Sequence, residues 1–373
     1  MKIQHIALAA LLTAAVGVAQ AQAIIQNSEV QLGVGAFGAL NVGGGTPATG
    51  SGTSTVGLRS VRTNSDSTSP GCECEGWGVG IRSTGAFGQS NNSVGGVQNL
   101  ALVSFTSTAS TAVSVVDVLG STGGALLRVT HDYHPISGTP YLYEVRVSIQ
   151  NLTGASLAAG DLVYRRVMDW DIPNPGRESV TIQGVPTLLG IANGSNIART
   201  DNNGFNAGNP FSFLSYGCQN VNFVNLRGGD PCPGSATPPG DGGGSSASSD
   251  QGALFDFEFA ALAAGETQVF NTYYGVAPDK ATADLARSLV DGDSSDVDVG
   301  LYSYGSCFDD SVGSVTPACN PTTGTPDTFI FGFNVVGGVI VDPGTPVSSP
   351  ATLALVGLGL LGLGVSRRRV GQR

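Results

Sequence analysis

In YLYEVRVSIQN, residues 141 to 151, apolar and polar side chains alternate. Tyr141, Tyr143, Val145, Val147 and Ile149 fall in one set, and Glu144, Arg146, Ser148 and Gln150 in the other. A helix would scatter each set around its circumference, whereas an extended strand gathers each on one face. The run predicts a strand with one face in a core and the other in water. DLVYRRVMDWDI (161–172) places Leu162, Tyr164, Met168 and Trp170 on one face, and LFDFEFA (254–260) alternates Phe255, Phe257 and Phe259 with Asp256 and Glu258. ALVSFTS, TAVSVVDV, ALLRVTHDY, TQVFNTYYG and TFIFGFNVV are further short β-prone runs bounded by turn residues. One helix signal stands among them: Asp279 is placed to cap KATADLARSLV, with Ala283, Leu285, Leu289 and Val290 as its apolar stripe. The fold class expected is all-β, an antiparallel β-sandwich with one crossover helix. Gly33 to Gly57 reads as loop or weak edge strand, and Arg227 to Gly252 as a flexible insertion.

The two ends have a different character. Met1 to Ala23 carries Lys2, an apolar run from Ile6 to Val18, and small residues at Ala19-Gln20-Ala21 or Ala21-Gln22-Ala23. That is the layout of a secretory signal peptide, so residues 1–23 are expected to be removed on export. At the other end, Ala351 to Val365 carries no charge and Arg367, Arg368 and Arg369 follow. As a helix the apolar run spans about 22 Å, less than the roughly 30 Å of a hydrocarbon core. Its arginines would stay cytoplasmic. Such a segment holds a chain at the membrane briefly and anchors it poorly.

PATLALVGLGLLGLGVSRRR resembles the PEP-CTERM sorting tail of Gram-negative bacteria, in which a Pro-Glu-Pro-like motif precedes an apolar helix and an arginine cluster. Val347, Ser348, Ser349 and Pro350 stand at the motif, with only Pro350 matching the triplet. The resemblance implies signal peptidase and an exosortase-like processing enzyme as partners. It also implies an inner-membrane intermediate, then a place at the cell surface or in the extracellular matrix, with a link to exopolysaccharide and biofilm. Some proteins described as ice-binding carry the same tail. The body is taken as residues 24–340 with a linker at 341–350, and over most of residues 55–337 it resembles secreted bacterial β-sandwich domains through PGCECEGWGVG, YRRVMDWDI and VFNTYYGVAP. That second resemblance implies an adhesive or matrix role without an established activity.

All 28 acidic residues, but only 12 of the 17 basic ones, lie between the two ends, so the body is more acidic than the whole chain at −11. With no basic patch to neutralise phosphate, nucleic acid is not an expected partner. Glycine supplies 55 residues without a Gly-X-Y period, about twice the usual share of roughly 7%. This is the composition of an extracellular β protein with many turns. Its six cysteines, Cys72, Cys74, Cys218, Cys232, Cys307 and Cys319, are disulfide candidates in an exported chain. Cys218 with Cys232 and Cys307 with Cys319 would each close a local loop. Cys72 and Cys74, separated by one residue, are expected to pair elsewhere, with a zinc site as the other reading.

Three groups carry candidate chemistry. Asp169 and Asp171 flank Trp170, with Glu178 nearby, and paired carboxylates beside an aromatic suit glycoside hydrolysis. On a strand, however, Trp170 faces away from both acids, which favours a core tryptophan and aspartates paired with Arg165 or Arg166. His131 and His134 fall on opposite strand faces and share no metal. Asp291, Asp293, Asp296 and Asp298 crowd the loop after the helix, and Ca²⁺ there is the one cofactor expected, without the glycine and glutamate of an EF-hand. Thr200 to Asn206 is a weaker oxygen-rich loop, and Thr106 to Thr111 is too short for an ice-binding array. The chain reads as a non-enzymatic exported protein, structural or polysaccharide-binding, with Tyr141, Tyr143, Tyr302 and Tyr304 as candidate stacking surfaces. A carbohydrate-active hydrolase and an ice-binding protein are the alternatives.

Overall fold

The computed structural model describes residues 22–69, 71–172, 178–183, 197–201, 203–212, 224–225, 251–290, 301–307, 320, 323–333 and 339–341. Among the described residues, three antiparallel sheets form the body. The first is a meander of β1 (Gln22–Gln26), β2 (Val30–Gly35) and β3 (Leu58–Ser60). The second contains β4 (Gly76–Ile81), β5 (Ala86–Asn91), β10 (Leu162–Trp170), β12 (Ile197–Asp201), β13 (Val224–Asn225) and β14 (Gln251–Glu258). Its strands run in the order β13-β12-β14-β10-β4-β5. The third contains β6 (Leu100–Ser107), β7 (Ala112–Leu119), β8 (Ala125–Pro135), β9 (Leu142–Asn151), β11 (Glu178–Gln183), β15 (Thr267–Ala277), β16 (Leu301–Cys307) and β17 (Thr328–Phe333). The order is β11-β16-β17-β15-β9-β8-β7-β6, with β18 (Val339–Val341) beside β15.

The two larger sheets pack face to face. Tyr143, Val145, Val147 and Ile149 of β9 are fully buried, as their alternation predicts, while Glu144, Arg146, Ser148 and Gln150 are partly exposed. Tyr141 departs from the pattern: it precedes β9 and packs beside the helix. Phe255 and Phe257 of β14 meet Phe333 of β17 with ring centroids 4.9 and 4.8 Å apart, and Phe259 meets Phe270 at 5.2 Å. Edge-on and tilted rings of this kind add to the gain from burial alone.

β10 differs from a half-buried strand because all nine of its residues are buried. Leu162, Tyr164, Met168 and Trp170 face the sandwich interior. The opposite face, with Val163, Arg165, Val167 and Asp169, lies under residues 203–212. Glycine permits that cover: a Cβ on Gly208 would come 2.3 Å from the Trp77 carbonyl oxygen. The chain therefore approaches the sheet backbone to backbone.

The helix, α1 (Lys280–Ser288), begins where expected, with the Asp279 carboxylate accepting from the Thr282 amide at 2.7 Å. Only part of the expected stripe is buried: Ala283 is, and Val290 packs partly buried in the same cluster. Ala283 and Ala286 pack on Tyr273, Tyr302, Tyr304 and Ile330 on the outer side of the large sheet, whereas Leu285 and Leu289 are 69% and 62% exposed. Small side chains let the helix sit close to a sheet face already carrying three tyrosines. Asp279→Ala removes the cap and is expected to lower stability by about 1 kcal/mol, read as a small fall in the urea midpoint at unchanged slope.

Gly33 to Gly57, expected to be loop or weak edge strand, is the end of β2 followed by turns and isolated bridges, and it is packed rather than loose. Leu32, Val34, Leu40, Val42 and Val56 are buried, and Val42 bridges Val56. Its turn at 36–40 inserts between the larger sheets. Trp77 Nε1 donates to the Phe37 carbonyl at 2.8 Å and Ser114 Oγ to the Ala36 carbonyl at 2.6 Å. Gly38 is required there, because it has φ +76° and a Cβ would meet His131 Nδ1 at 2.7 Å. The meander thus closes one end of the sandwich. The expected 1–23 leader overlaps it: Gln22 and Ala23 pair with Gly35 and Val34 as the first residues of β1. The remainder of the leader, most of the 227–252 insertion, the 342–350 linker and the 351–373 tail lie outside the described residues. Among the described residues no helix is long and apolar enough to cross a membrane.

Candidate functional site: a buried polar centre and an open cleft

The ionisable groups nearest the middle of the sandwich are committed to holding it together. Arg166 and Glu75 form an ion pair at 2.7 Å with both side chains fully buried. The Tyr274 hydroxyl donates to Glu75 Oε1 at 2.5 Å, and the Leu40 amide donates to Glu75 Oε2 at 2.5 Å. Arg166 also donates to the Tyr133 hydroxyl at 3.1 Å, and Tyr133 donates to the Gly38 carbonyl at 2.9 Å. Burial pushes the Tyr133 and Tyr274 hydroxyls up, so both stay protonated as donors. This network ties the inserted turn to both sheets. On the opposite face of β10, Arg165 grips Asp256 through Nε at 2.6 Å and a second nitrogen at 2.8 Å. It also donates to the carbonyls of Ala207, Asn209 and Ser212. The two arginines are therefore taken by Glu75 and Asp256 rather than by Asp169 or Asp171, because the strand sends Arg166 inward and Asp256 lies directly across from Arg165.

Trp170 does face away from both aspartates: it is fully buried, and its indole donates to Ser303 Oγ at 2.9 Å. Asp169 is 1% exposed, with Gly204 of the covering loop against it. The Glu178 side chain lies outside the described residues. Asn203 and Asn206 of the oxygen-rich loop are buried too. Cys72 and Cys74, expected to pair elsewhere, are bonded to each other, with Cα atoms 5.1 Å apart, inside the ordinary range for a disulfide. Cys307 is disulfide-bonded as well. Cys218, Cys232 and Cys319 lie outside the described residues, as do Asp291, Asp293, Asp296 and Asp298 and Val347–Pro350 with Arg367, Arg368 and Arg369.

His131 and His134 occupy the two faces of β8. His131 is fully buried, 3.0 Å from the Tyr164 hydroxyl, and burial with the nearby Arg166 charge holds it well below its ordinary pKa. His134 lies outside, 3.8 Å from Asp132 and 3.4 Å from Glu144. Hydrogen bonds that the imidazole donates to Asp132 and then to Glu144 raise its pKa to about 10. A raised value means its contribution is complete below the ordinary 6.5 and is lost as pH rises through about 10. At 36% exposure that contribution is screened. An NMR titration of the imidazole is expected to place its midpoint well above 6.5, with Glu144→Gln moving it back toward that value.

Three of the four candidate stacking tyrosines are in the core: Tyr143, Tyr302 and Tyr304 are 0%, 7% and 4% exposed. An accessible concavity among the described residues lies elsewhere, at the sandwich end opposite the meander. It is a cleft of about 690 Å³ formed where the β4–β5 turn, the β7–β8 turn and the loop after β9 converge. Phe87, Leu119 and Leu126 supply apolar lining, while Ser83, Thr84, Asn99, Ser121, Thr122, Thr153 and Ser156 bring hydroxyls and an amide. Asp161 is the one carboxylate among the lining residues, and it already accepts from the Ser83 amide at 2.6 Å and the Ser83 hydroxyl at 2.8 Å. Sequence reasoning passed over this site. A signal was present: Thr84-Gly85, Thr122-Gly123 and Thr153-Gly154 each place a threonine before a positive-φ glycine, in three separate connections that meet in space.

Set against known proteins, the chain matches no family model and no curated relative.

Proposed function

We propose that the chain is an exported, non-catalytic protein of the cell surface or extracellular matrix that binds neutral polysaccharide in the cleft at the open end of its sandwich. The observation that carries the reading is the lining of that cleft. Hydroxyls and an amide from three turns surround apolar patches, a combination suited to the polar rim and apolar ring face of a sugar. Its volume falls within the roughly 300–1,000 Å³ usual for ligand clefts. Glycoside hydrolysis by the two-carboxylate route needs an acid and a second carboxylate flanking the bond, and the single carboxylate in the lining is engaged as a turn clamp. The acidic body favours neutral over acidic polymers, since like charges oppose association.

Export rests on the leader and the PEP-CTERM-like tail. Signal peptidase cleavage after Ala21 leaves β1 whole, whereas cleavage after Ala23 removes two of its paired residues. The sorting tail is then processed by an exosortase-like enzyme near Pro350. The binding test is affinity electrophoresis of the mature chain through gels containing dextran, galactomannan or alginate. Retardation by at least one neutral polymer and not by alginate is expected, with Thr122→Trp, which fills the cleft from an exposed turn, abolishing it. Equal mobility in every gel, or retardation untouched by Thr122→Trp, contradicts the reading.

A further inference from the structure

Cys72 and Cys74 lie at the opposite end of β10 from the cleft, beside Asp169. We propose that this corner is a metal site controlled by oxidation: once the Cys72–Cys74 bond is reduced, the two thiolates and the Asp169 carboxylate hold a thiophilic divalent cation of the Zn²⁺ type. One Sγ from each cysteine and one Asp169 carboxylate oxygen lie within 4.8 Å of one another. Tetrahedral zinc, about 2.3 Å from sulfur and about 2.0–2.2 Å from oxygen, requires ligand atoms about 3.5–3.8 Å apart. Opening the bonded pair moves the sulfurs toward that spacing without moving the strand that carries Asp169.

A second observation points the same way. Cys72 Sγ is 3.2 Å from Asp169 Oδ2. In the bonded pair this sulfur carries no proton, so it has none to donate to the carboxylate across that contact. A cation between them turns that contact into two ligand bonds. Cys74 and Asp169 are buried, which favours neutralising their charges, whereas Cys72 is half-buried and leaves the fourth position open to water. Asp171 lies against Gly71, next to the pair, as a carboxylate neighbour of the ligands.

The chemistry balances. A dithiol reductant gives two electrons and two protons to the Cys72–Cys74 bond, which breaks, and the reductant becomes a disulfide. Metal binding then releases the two thiol protons, and exchange with a disulfide donor re-forms the bond and expels the metal. This site is independent of the polysaccharide reading.

The test titrates the full mature chain with Cd²⁺, and with Zn²⁺ against a chromophoric chelator, with and without a phosphine reductant. The comparison is Cys72→Ser/Cys74→Ser, which keeps the other four cysteines. Reduced wild type is expected to bind one equivalent more than this variant, and unreduced wild type no more than it. Asp169→Asn is expected to weaken that equivalent at least about tenfold. Equal stoichiometry in reduced wild type and the double variant overturns the proposal. So does an Asp169→Asn variant that binds as wild type does. Should Asp169→Asn not fold by circular dichroism, the ¹¹³Cd shift of the extra equivalent in wild type decides: mixed sulfur and oxygen coordination supports the site, and all-sulfur or sulfur-free coordination overturns it.

Discussion

Arg166→Met is expected to destabilise the body by about 3–5 kcal/mol, the cost of leaving one member of a buried ion pair without its partner. Glu75 would keep the Tyr274 hydroxyl and the Leu40 amide as donors but lose the only cation that faces it among the described residues. The same substitution removes the Arg166 bonds to the Tyr133 hydroxyl and the Gly38 carbonyl, so the turn at 36–40 is held less firmly, by Trp77, Ser114, Tyr133 and Glu75. Urea denaturation reads the loss directly. Glu75→Leu combined with Arg166→Met should recover part of it, because a well-packed apolar pair avoids the desolvation cost that each lone charge carries. Equal stability of single and double variants would mean that the pair is not coupled.

Arg165→Met is expected to cost a similar amount, about 3–5 kcal/mol, with a different outcome in space. Asp256 is left buried without its bidentate partner, and the carbonyls of residues 207, 209 and 212 lose their common donor. These groups belong to the cover over the outer face of β10, not to the interface between the sheets. Limited proteolysis should therefore cut Arg165→Met within 203–212 while the sandwich remains folded. In Arg166→Met, cleavage should extend to the N-terminal meander. Identical cleavage patterns would contradict the division of labour between these adjacent arginines.

The alternating runs at 141–151, 161–172 and 254–260 were legible as strands because period two leaves few alternatives; only 141–151 is buried on one face alone, while β10 is buried on both and Asp256 and Glu258 of β14 are buried too. The meander was less legible. Its glycines look like loop in a one-dimensional reading, yet Gly38 is there because nothing larger fits beside His131. The helix was placed correctly by Asp279, but its buried face is set by tyrosines on strands distant in sequence, so the Leu285 and Leu289 stripe was misleading. For the same reason the Asp169 region drew attention as an acid pair around a tryptophan, and the cover at 203–212 that buries Asp169 could not be read locally. The cleft was missed because its lining comes from three short turns, each ordinary alone, and their shared Thr-Gly pairs gain meaning only when the topology brings them together.

The most direct measurement of the central claim is amide hydrogen exchange of the mature chain with and without the neutral polysaccharide that retards it. Added protection confined to 82–87, 119–126 and 153–157, with no new reducing ends in the polymer, is the expected result. Protection instead around Asp169 and the 203–212 cover, accompanied by new reducing ends, would contradict it and return the chain to the hydrolases.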